Sequence, residues 1–291
     1  MAVIEKPSAG GVAGLTISII GLGLMGGSFA KALKRGTGAR VLACGRNAMF
    51  LESVRASGVI DLGFTSPAEA VADADLTVVC LYPDDTVKFI RDNMPHFKPG
   101  SVVTDIAGVK RRIVDGLLPH MREDVEFVPG HPMAGRERAG YQYSVETLFD
   151  RCNYILTPHE RNTVSGLELM KRFAGALGAV SIVRAEPDEH DEMIAYTSQL
   201  PHALAVAYVL VAAERDPLPF SAGSYRDVSR VAAINARMWA ELFVENADAL
   251  AAEMQKLSAG MARIATLIRA GDRDALAEML SEAAALKEER L

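Results

Sequence analysis

The sequence of 291 residues is poor in cysteine, in aromatic residues and in positive charge. Its three cysteines, Cys44, Cys80 and Cys152, have neither the number nor the spacing of a disulfide framework or a zinc site. We therefore expect reduced thiols, a cytoplasmic location and no bound metal. The net charge of −6 argues against a protein that binds nucleic acids or membrane surfaces, because such proteins usually present a basic surface.

Long hydrophobic runs are also missing. The most apolar stretch, residues 203–213, is far shorter than the ~20 residues that span a bilayer, so no membrane partner is expected. The first 14 residues lack the apolar core of a signal peptide, and we expect them to form a short flexible leader. With 49% hydrophobic residues, the chain can nevertheless bury a substantial core.

Apolar runs alternate with amphipathic segments over residues 14–186, whereas residues 187–291 carry helical periodicity throughout. The first part predicts a Rossmann-like α/β domain with a mostly parallel sheet covered by helices on both faces. The second part predicts an all-helical domain, whose many apolar positions favour a homodimer formed through it. The predicted strands are 15–20, 41–44, 76–81, 101–105, 125–128, 154–157 and 180–183.

A glycine-rich loop follows the first predicted strand and opens a helix. It fits G-x-G-x-x-G, in the context that this dinucleotide-binding motif requires. Its glycines allow a tight turn and a close approach of pyrophosphate, and the helix N-terminus offers unpaired N–H groups to the phosphates. The sequence therefore predicts NAD or NADP bound at six loop residues: Gly21, Leu22, Gly23, Leu24, Met25 and Gly26.

The end of the second predicted strand bears on the choice between the two cofactors. NAD sites usually place a carboxylate there, which binds the ribose 2′-hydroxyl. This chain has no carboxylate at that place but has Arg46 and Asn47. Arg46 could pair with the 2′-phosphate of NADP, which we slightly favour. The alternative is that Arg46 is a solvated turn residue and that NAD binds through Asn47.

His131 lies in the run GHPMAG, residues 130–135, and histidine can exchange a proton near neutral pH. Taken alone, it would be interpreted as an ordinary loop histidine. Other segments accompany it, and together they resemble the prephenate and arogenate dehydrogenases of tyrosine biosynthesis over nearly the whole chain. The segments are ISIIGLGLMGGSFA (17–30), DIAGVK (105–110), GHPMAG with Glu137 and Gly140, HDEMIAYTSQLPHALA (190–205), RDVSRVA (226–232) and RMWAELFVEN (237–246).

The resemblance implies an oxidative decarboxylation in which a cyclohexadienol loses a hydroxyl proton, a hydride and CO₂ while its ring becomes aromatic. It implies that His131 accepts or hydrogen-bonds the hydroxyl proton and that Arg230 binds a substrate carboxylate. The remaining implied substrate contacts are His202, Glu137, Gly140 and Arg226, and the remaining implied cofactor contacts are Tyr82 and Gly108. The resemblance leaves His190 with a structural role and Trp239 with a packing role.

Simpler interpretations exist for two of these residues. His202 could be a packed core histidine beside Pro201, and Arg230 could form a surface ion pair with Asp227. The chain also departs from the family, because Gly108 stands where members often carry a serine beside the catalytic histidine. Gln199 stands where some members have a histidine. These departures leave the reaction class that the resemblance implies intact.

The expected activity is that of a prephenate dehydrogenase, and arogenate is the alternative substrate. A β-hydroxyacid-type dehydrogenase shares the domain plan, but it relies on a lysine that the helix around Gln199 and His202 lacks. A third possibility is a cofactor-sensing protein without turnover.

Overall fold

The computed structural model describes residues 2–211, 214 and 216–289. Its strands are β1 (Val3–Glu5), β2 (Thr16–Ile20), β3 (Arg40–Cys44), β4 (Leu62–Phe64), β5 (Leu76–Val79), β6 (Val102–Asp105), β7 (Glu126–Phe127), β8 (Gly130–Pro132), β9 (Asn153–Leu156) and β10 (Ser181–Arg184). Its helices are α1 (Leu24–Lys34), α2 (Ala48–Ala56), α3 (Pro67–Ala72), α4 (Pro83–Asp92), α5 (Arg111–Leu117), α6 (Val164–Leu177), α7 (Pro187–Ile194), α8 (Leu200–Val211), α9 (Gly223–Ser229), α10 (Ala236–Glu245), α11 (Ala247–Ala270) and α12 (Arg273–Glu288).

Six strands form a wholly parallel sheet in the order β4-β3-β2-β5-β6-β7. The order reverses between β2 and β5, so the loops that leave these two strands diverge and open a crevice at the carboxyl edge of the sheet. This arrangement confirms the predicted Rossmann-like domain.

The late strands do not join that sheet. They form a second, four-stranded sheet in the order β1-β10-β9-β8, in which only β9 and β10 are parallel. The prediction of a flexible leader was wrong for residues 3–5, because β1 pairs with β10 and Glu5 forms ion pairs with Lys171 and Arg184. In β8, His131 stands opposite Ile155 of β9.

The core lies on both faces of the parallel sheet. Ile19 and Ile20, adjacent on β2, belong to different buried clusters because successive side chains of a strand point to opposite faces. On the face covered by α1 and α6, Phe29 stacks on Phe149 with ring centroids 4.2 Å apart. Each such buried aromatic side chain contributes a few kcal/mol.

The helical domain begins with α7, which a π-helical turn over Ala195–Gln199 joins to α8. The periodicity predicts a single helix over residues 238–270, but α10 ends at Glu245. Asn246 interrupts the helix because its buried side-chain amide donates hydrogen bonds to the carbonyl of Asp191 and to Gln199. These bonds anchor the start of α11 to the domain junction.

Much of the apolar surface of the helical domain is uncovered. None of the residues of α12 is buried. The segment Pro187–Val211 is long and apolar enough to cross a membrane by length and composition, and only 28% of its most apolar window is buried. Exposed apolar side chains on this domain include Tyr196, Leu204, Tyr208, Leu210, Met254, Met261, Ile268 and Leu280.

Candidate active site

The glycine loop between β2 and α1 has the shape that a pyrophosphate requires. Gly21 has φ +92°, and a Cβ there would lie 2.9 Å from the carbonyl oxygen of Cys80. A Cβ on Gly26 would lie 2.0 Å from the carbonyl oxygen of Gly21, so only glycine permits this helix–loop contact. A Cβ on Gly23 would meet nothing within 4 Å, and α1 has no side-chain cap. The loop therefore leaves open space and unpaired N–H groups for phosphates.

The other predicted cofactor residues follow neighbouring strands at the same edge. Arg46 and Asn47 follow β3, Tyr82 follows β5, and Gly108 follows β6. The Asn47 side chain accepts a hydrogen bond from the N–H of Phe50 and so caps α2. Arg46 is exposed, and no ion pair of its side chain occurs among the described residues. The Arg46 side chain is thus available to a phosphate, whereas the side-chain oxygen of Asn47 already accepts a hydrogen bond.

His131 is linked to the helical domain through a chain of hydrogen bonds. Its Nδ1 lies 2.9 Å from Nε2 of His190, and Nδ1 of His190 lies 2.7 Å from Oδ1 of Asp191. Both oxygens of Asp191 also accept backbone N–H groups at the start of α5, from Lys110 at 2.7 Å and Arg111 at 2.9 Å. Asp191 therefore caps a helix of the first domain from the second.

The surroundings of His131 favour its neutral form. Burial lowers the pKa of His131 well below its ordinary value, and the charges of His190 and Lys110 lower it further. Burial likewise lowers the pKa of His190, although its bond to Asp191 acts in the opposite direction. At neutral pH, His131 is consequently a neutral imidazole, with one nitrogen free to accept a proton.

A fully buried ion pair supports this arrangement. Nζ of Lys110 lies 2.6 Å from Oδ2 of Asp105, and neither side chain is exposed. The same carboxylate accepts the N–H groups of Ala107 at 2.9 Å and Gly130 at 3.3 Å. Since Gly130 precedes His131, the pair fixes the loop after β6 against the strand that carries the histidine.

The predicted substrate arginine faces His131's own loop. Arg230 lies in the turn after α9 and forms an ion pair with Glu137, in the loop that follows β8. The alternative pairing with Asp227 is absent from the described part of the chain. No ion pair of Arg226 occurs there either, and its side chain lies one turn away on α9. The structure thus brings Arg230 of the helical domain against Glu137 of the loop that follows His131.

His202 is partly buried against an aromatic side chain. Its Nδ1 lies 2.8 Å from the carbonyl oxygen of Ser198, in the π-helical turn before Pro201, and its ring stacks on Trp239 with centroids 3.9 Å apart. Because Nδ1 is occupied by the carbonyl, Nε2 is the nitrogen left for a ligand. Both interpretations of His202, packing and binding, fit this position.

Backbone conformation requires glycine at position 140 but not at position 108. Gly140 has φ +103°, which strongly favours glycine, and it opens the turn that packs Tyr141 against α1. A Cβ on Gly108 would lie 3.5 Å from Leu242 and 3.9 Å from Cε1 of His131, which are ordinary contacts. The space beside His131 would therefore accept a serine side chain.

A separate acidic group lies where the two domains meet. Carboxylate oxygens of Asp84, Glu241 and Glu245 lie within 4.8 Å of one another. Arg112 pairs with both Asp84 and Glu245, which neutralises part of the group and opposes a cation. Burial and the neighbouring carboxylates raise the pKa of Glu245 to about 7.

Sequence reasoning missed the contact between His190 and His131 and assigned His190 a structural role. The signal was present as the adjacent pair His190-Asp191, a hydrogen-bonding acid beside an imidazole at the start of a helix. It also missed Asn235, whose side chain donates a 2.7 Å hydrogen bond to the hydroxyl of Tyr82 across the domain junction. Such contacts depend on domain docking, which no local pattern encodes.

Two family models match this chain. The model described as "Prephenate dehydrogenase, nucleotide-binding domain" matches residues 29–183. The model described as "Prephenate dehydrogenase, dimerization domain" matches residues 186–282. Together they cover five of the six strands of the parallel sheet, the His131 strand and most of the helical domain, while β2 and the glycine loop lie before the first match.

Similar proteins have related names. A prephenate dehydrogenase of Bacillus subtilis is 30% identical over 80% of this chain, which spans only 64% of that protein's length. A cyclohexadienyl dehydrogenase of Zymomonas mobilis is 30% identical over 91% of this chain and 92% of its own length.

Solved structures agree with these matches. A prephenate dehydrogenase from A. aeolicus, in complex with hydroxyphenyl propionate and NAD⁺, superposes with a TM-score of 0.87 at 28% identity, covering 95% of this chain and 98% of that one. An arogenate dehydrogenase from Synechocystis gives 0.81 at 25% identity, covering 95% and 100%.

Proposed function

The chain belongs to the prephenate dehydrogenase family, and on that premise we propose that it oxidatively decarboxylates prephenate to 4-hydroxyphenylpyruvate with hydride transfer to NAD(P), a step of tyrosine biosynthesis. The observation that carries the proposal is a neutral, hydrogen-bonded His131 beside the carboxyl edge of a dinucleotide-binding sheet. A base and a hydride acceptor placed side by side are what the oxidation of an alcohol requires.

The protein's own part in the reaction is to bind, to orient and to hold one proton. Arg230 exchanges Glu137 for a carboxylate of the substrate, since its planar guanidinium can grip a carboxylate with two hydrogen bonds. His202, with Nδ1 occupied by Ser198, offers Nε2 to the same ligand. These contacts orient the ring so that its 4-hydroxyl faces His131.

His131 then accepts the hydroxyl proton as the C4–H bond gives up its hydride. The carboxylate at C1 leaves as CO₂, its bonding electrons complete the aromatic ring, and the proton on His131 can return to the phenolate oxygen. The balance is one substrate and one oxidised cofactor against one phenol, one CO₂ and one reduced cofactor. General base catalysis of this kind contributes ~10²–10⁴-fold to the rate.

The cofactor is NAD or NADP, and it accepts the hydride when bound. The loop from Gly21 to Gly26 would hold the pyrophosphate. We slightly favour NADP because Arg46 is exposed at the end of β3 and no carboxylate there repels a 2′-phosphate. The NAD⁺ in the A. aeolicus complex supports NAD as the alternative.

We further propose that the chain is a homodimer formed through its helical domain. The matching family domain is described as a dimerization domain. The exposed apolar side chains on α8, α11 and α12 supply a surface for a second copy. The same contact would cover Pro187–Val211, whose buried and hydrogen-bonded His190 and Asp191 suit a protein interior better than a bilayer. Because the three cysteines of the chain are free thiols, we assign the dimer to the cytoplasm.

Arogenate is the second candidate substrate, favoured by the likeness to the Synechocystis arogenate dehydrogenase. It carries an amino acid side chain where prephenate carries a keto acid. Steady-state rates with both substrates, each with NAD and NADP, test the proposal. Identification of 4-hydroxyphenylpyruvate supports prephenate oxidation, exclusive formation of tyrosine supports the alternative, and absence of turnover by a folded, cofactor-binding protein contradicts both.

A further inference from the structure

We infer that His190 and Asp191 are positioning residues that set the tautomer of His131, so that its Nε2 carries the lone pair that accepts the substrate proton. The inference rests on the proposed function, because it concerns how the same base is prepared. It assigns a task to two side chains of the helical domain that the reaction itself does not touch.

The carboxylate of Asp191 accepts a backbone hydrogen bond on each of its oxygens. Oδ1 accepts the N–H of Lys110 and Oδ2 accepts the N–H of Arg111, so the carboxylate has fixed acceptor geometry. A group that only accepts requires a donor from His190, whose Nδ1 lies 2.7 Å from Oδ1. His190 therefore carries its proton on Nδ1.

The tautomer of His190 determines that of His131. A neutral imidazole with a proton on Nδ1 has a lone pair on Nε2. Nε2 of His190 lies 2.9 Å from Nδ1 of His131, so His131 must donate from Nδ1 to complete that bond. The Nε2 of His131 is then the unprotonated nitrogen, and within the described residues it has no hydrogen-bond partner.

The charges around the two rings support the neutral forms that this chain of bonds requires. Asp105 faces them from the end of β6 and Lys110 from the loop that follows, with Nζ of Lys110 held by Asp105 and by the carbonyl of Ala107. Asp191 faces them from α7, and the paired Arg230 and Glu137 are the charged groups of the substrate side. The buried ammonium of Lys110 disfavours a positive charge on either ring, and the burial of the rings disfavours it as well.

The chain of hydrogen bonds from Asp191 through His190 to His131 also explains how the enzyme can work without a serine at position 108. His131 needs a partner that fixes its ring and its proton, and His190 provides one from the other domain. When His131 accepts a proton at Nε2, its Nδ1–H becomes a stronger donor to His190, which stabilises the imidazolium. The base is thus prepared only when α7 is docked on the start of α5.

The tautomers can be measured without any turnover. Long-range ¹H–¹⁵N spectra of the uniformly labelled protein, at a pH above the titration of both rings, report which nitrogen of each of the six histidines is protonated. The His131→Asn and His190→Gln variants assign the two signals. We expect an Nδ1–H tautomer for both residues. An Nε2–H tautomer for His131 overturns the inference while leaving the proposed function standing.

Kinetics provide the second test. His190→Leu removes the acceptor, so we expect kcat with prephenate to fall about 10- to 100-fold, with the KM of both substrates nearly unchanged. His190→Gln, whose amide oxygen can accept from Nδ1 of His131, should recover most of kcat. His120→Leu, at an exposed histidine, is the matched control and should behave as wild type.

Asp191→Asn tests the first link, since an amide NH₂ facing His190 would favour the opposite tautomer in both rings and lower kcat. Equal losses in His190→Leu and His190→Gln would mean that His190 only fills space. Melting temperatures and cofactor binding of each variant separate such effects from misfolding. Lack of prephenate turnover by the wild type would instead count against the proposed function.

Discussion

Arg230 and Glu137 form an ion pair between the turn after α9 and the loop after His131, although 93 residues separate them in the chain. Their side chains are 63% and 38% exposed, and exposed pairs contribute little to stability. A substrate carboxylate can therefore replace Glu137 on the guanidinium at small cost.

This relationship predicts that Arg230→Ala raises the KM for prephenate about 10- to 100-fold, the loss expected for a hydrogen bond between charged groups. kcat should change much less, because the guanidinium does not take part in proton or hydride transfer. Initial rates over a range of prephenate concentrations measure both constants. Arg263→Ala, at an exposed site on α11, is the control. An unchanged KM in Arg230→Ala would show that Arg230 does not bind the substrate carboxylate.

Arg46 is expected to determine the cofactor preference. The wild type should give a kcat/KM with NADP that exceeds that with NAD. Arg46→Ala should lower the value for NADP about tenfold, because it removes a charged hydrogen bond to the 2′-phosphate, and should leave the value for NAD nearly constant. Equal or better use of NAD by the wild type would assign Arg46 to the solvated turn instead.

Gly108→Ser should be tolerated, because a Cβ at this position makes only ordinary contacts with Leu242 and His131. We expect a melting temperature close to wild type and a kcat within about threefold of it, since His190 already holds His131. Gly130→Ser is the contrasting variant, because its Cβ would lie 2.9 Å from Oγ1 of Thr104 and 3.0 Å from Tyr154. Of the two variants, only Gly130→Ser should have a clearly lower melting temperature in thermal unfolding. A similar loss in both variants would contradict this account of position 108.

Glu245 should make stability depend on pH. Its native pKa of about 7 lies above the ordinary value of 4.5, so the native state binds this proton more tightly than the unfolded state. The stability that results is complete below about pH 4.5 and is lost as the pH rises through 7. Glu245→Gln should therefore melt a few degrees higher than wild type at pH 8 and lose this difference at pH 5.

Scanning calorimetry at both pH values measures the effect, and Glu282→Gln, at an exposed site on α12, provides the reference. A constant difference between Glu245→Gln and wild type across the pH range would show that the carboxyl group titrates normally.

The sequence predicted those features that local patterns encode. The alternation of strands and helices and the glycine loop of β2–α1 are confirmed, because each depends on residues close together in the chain. The pairing of β1 with β10 was missed since residues 3–5 are too few to show a strand period. The predicted single helix over residues 238–270 failed at Asn246, whose role depends on its contacts with α7 and the π-helical turn.

The candidate site divides in the same way. The resemblance to the family singled out His131, Arg230 and His202 as site residues, and the structure places Arg230 against Glu137. The chain of hydrogen bonds from Asp191 through His190 to His131 could not be predicted. It requires the two domains to dock, so that the carboxylate of Asp191 caps a helix that begins 80 residues earlier.

The most direct test is the rate of reduced-cofactor formation from prephenate, measured side by side for the wild type and His131→Asn at saturating cofactor. The account predicts stoichiometric 4-hydroxyphenylpyruvate and CO₂ from the wild type and a kcat ~10²–10⁴-fold lower for the variant, with cofactor binding retained. A variant that keeps most of its kcat, or a folded wild type that binds the cofactor but leaves prephenate unchanged, would contradict it.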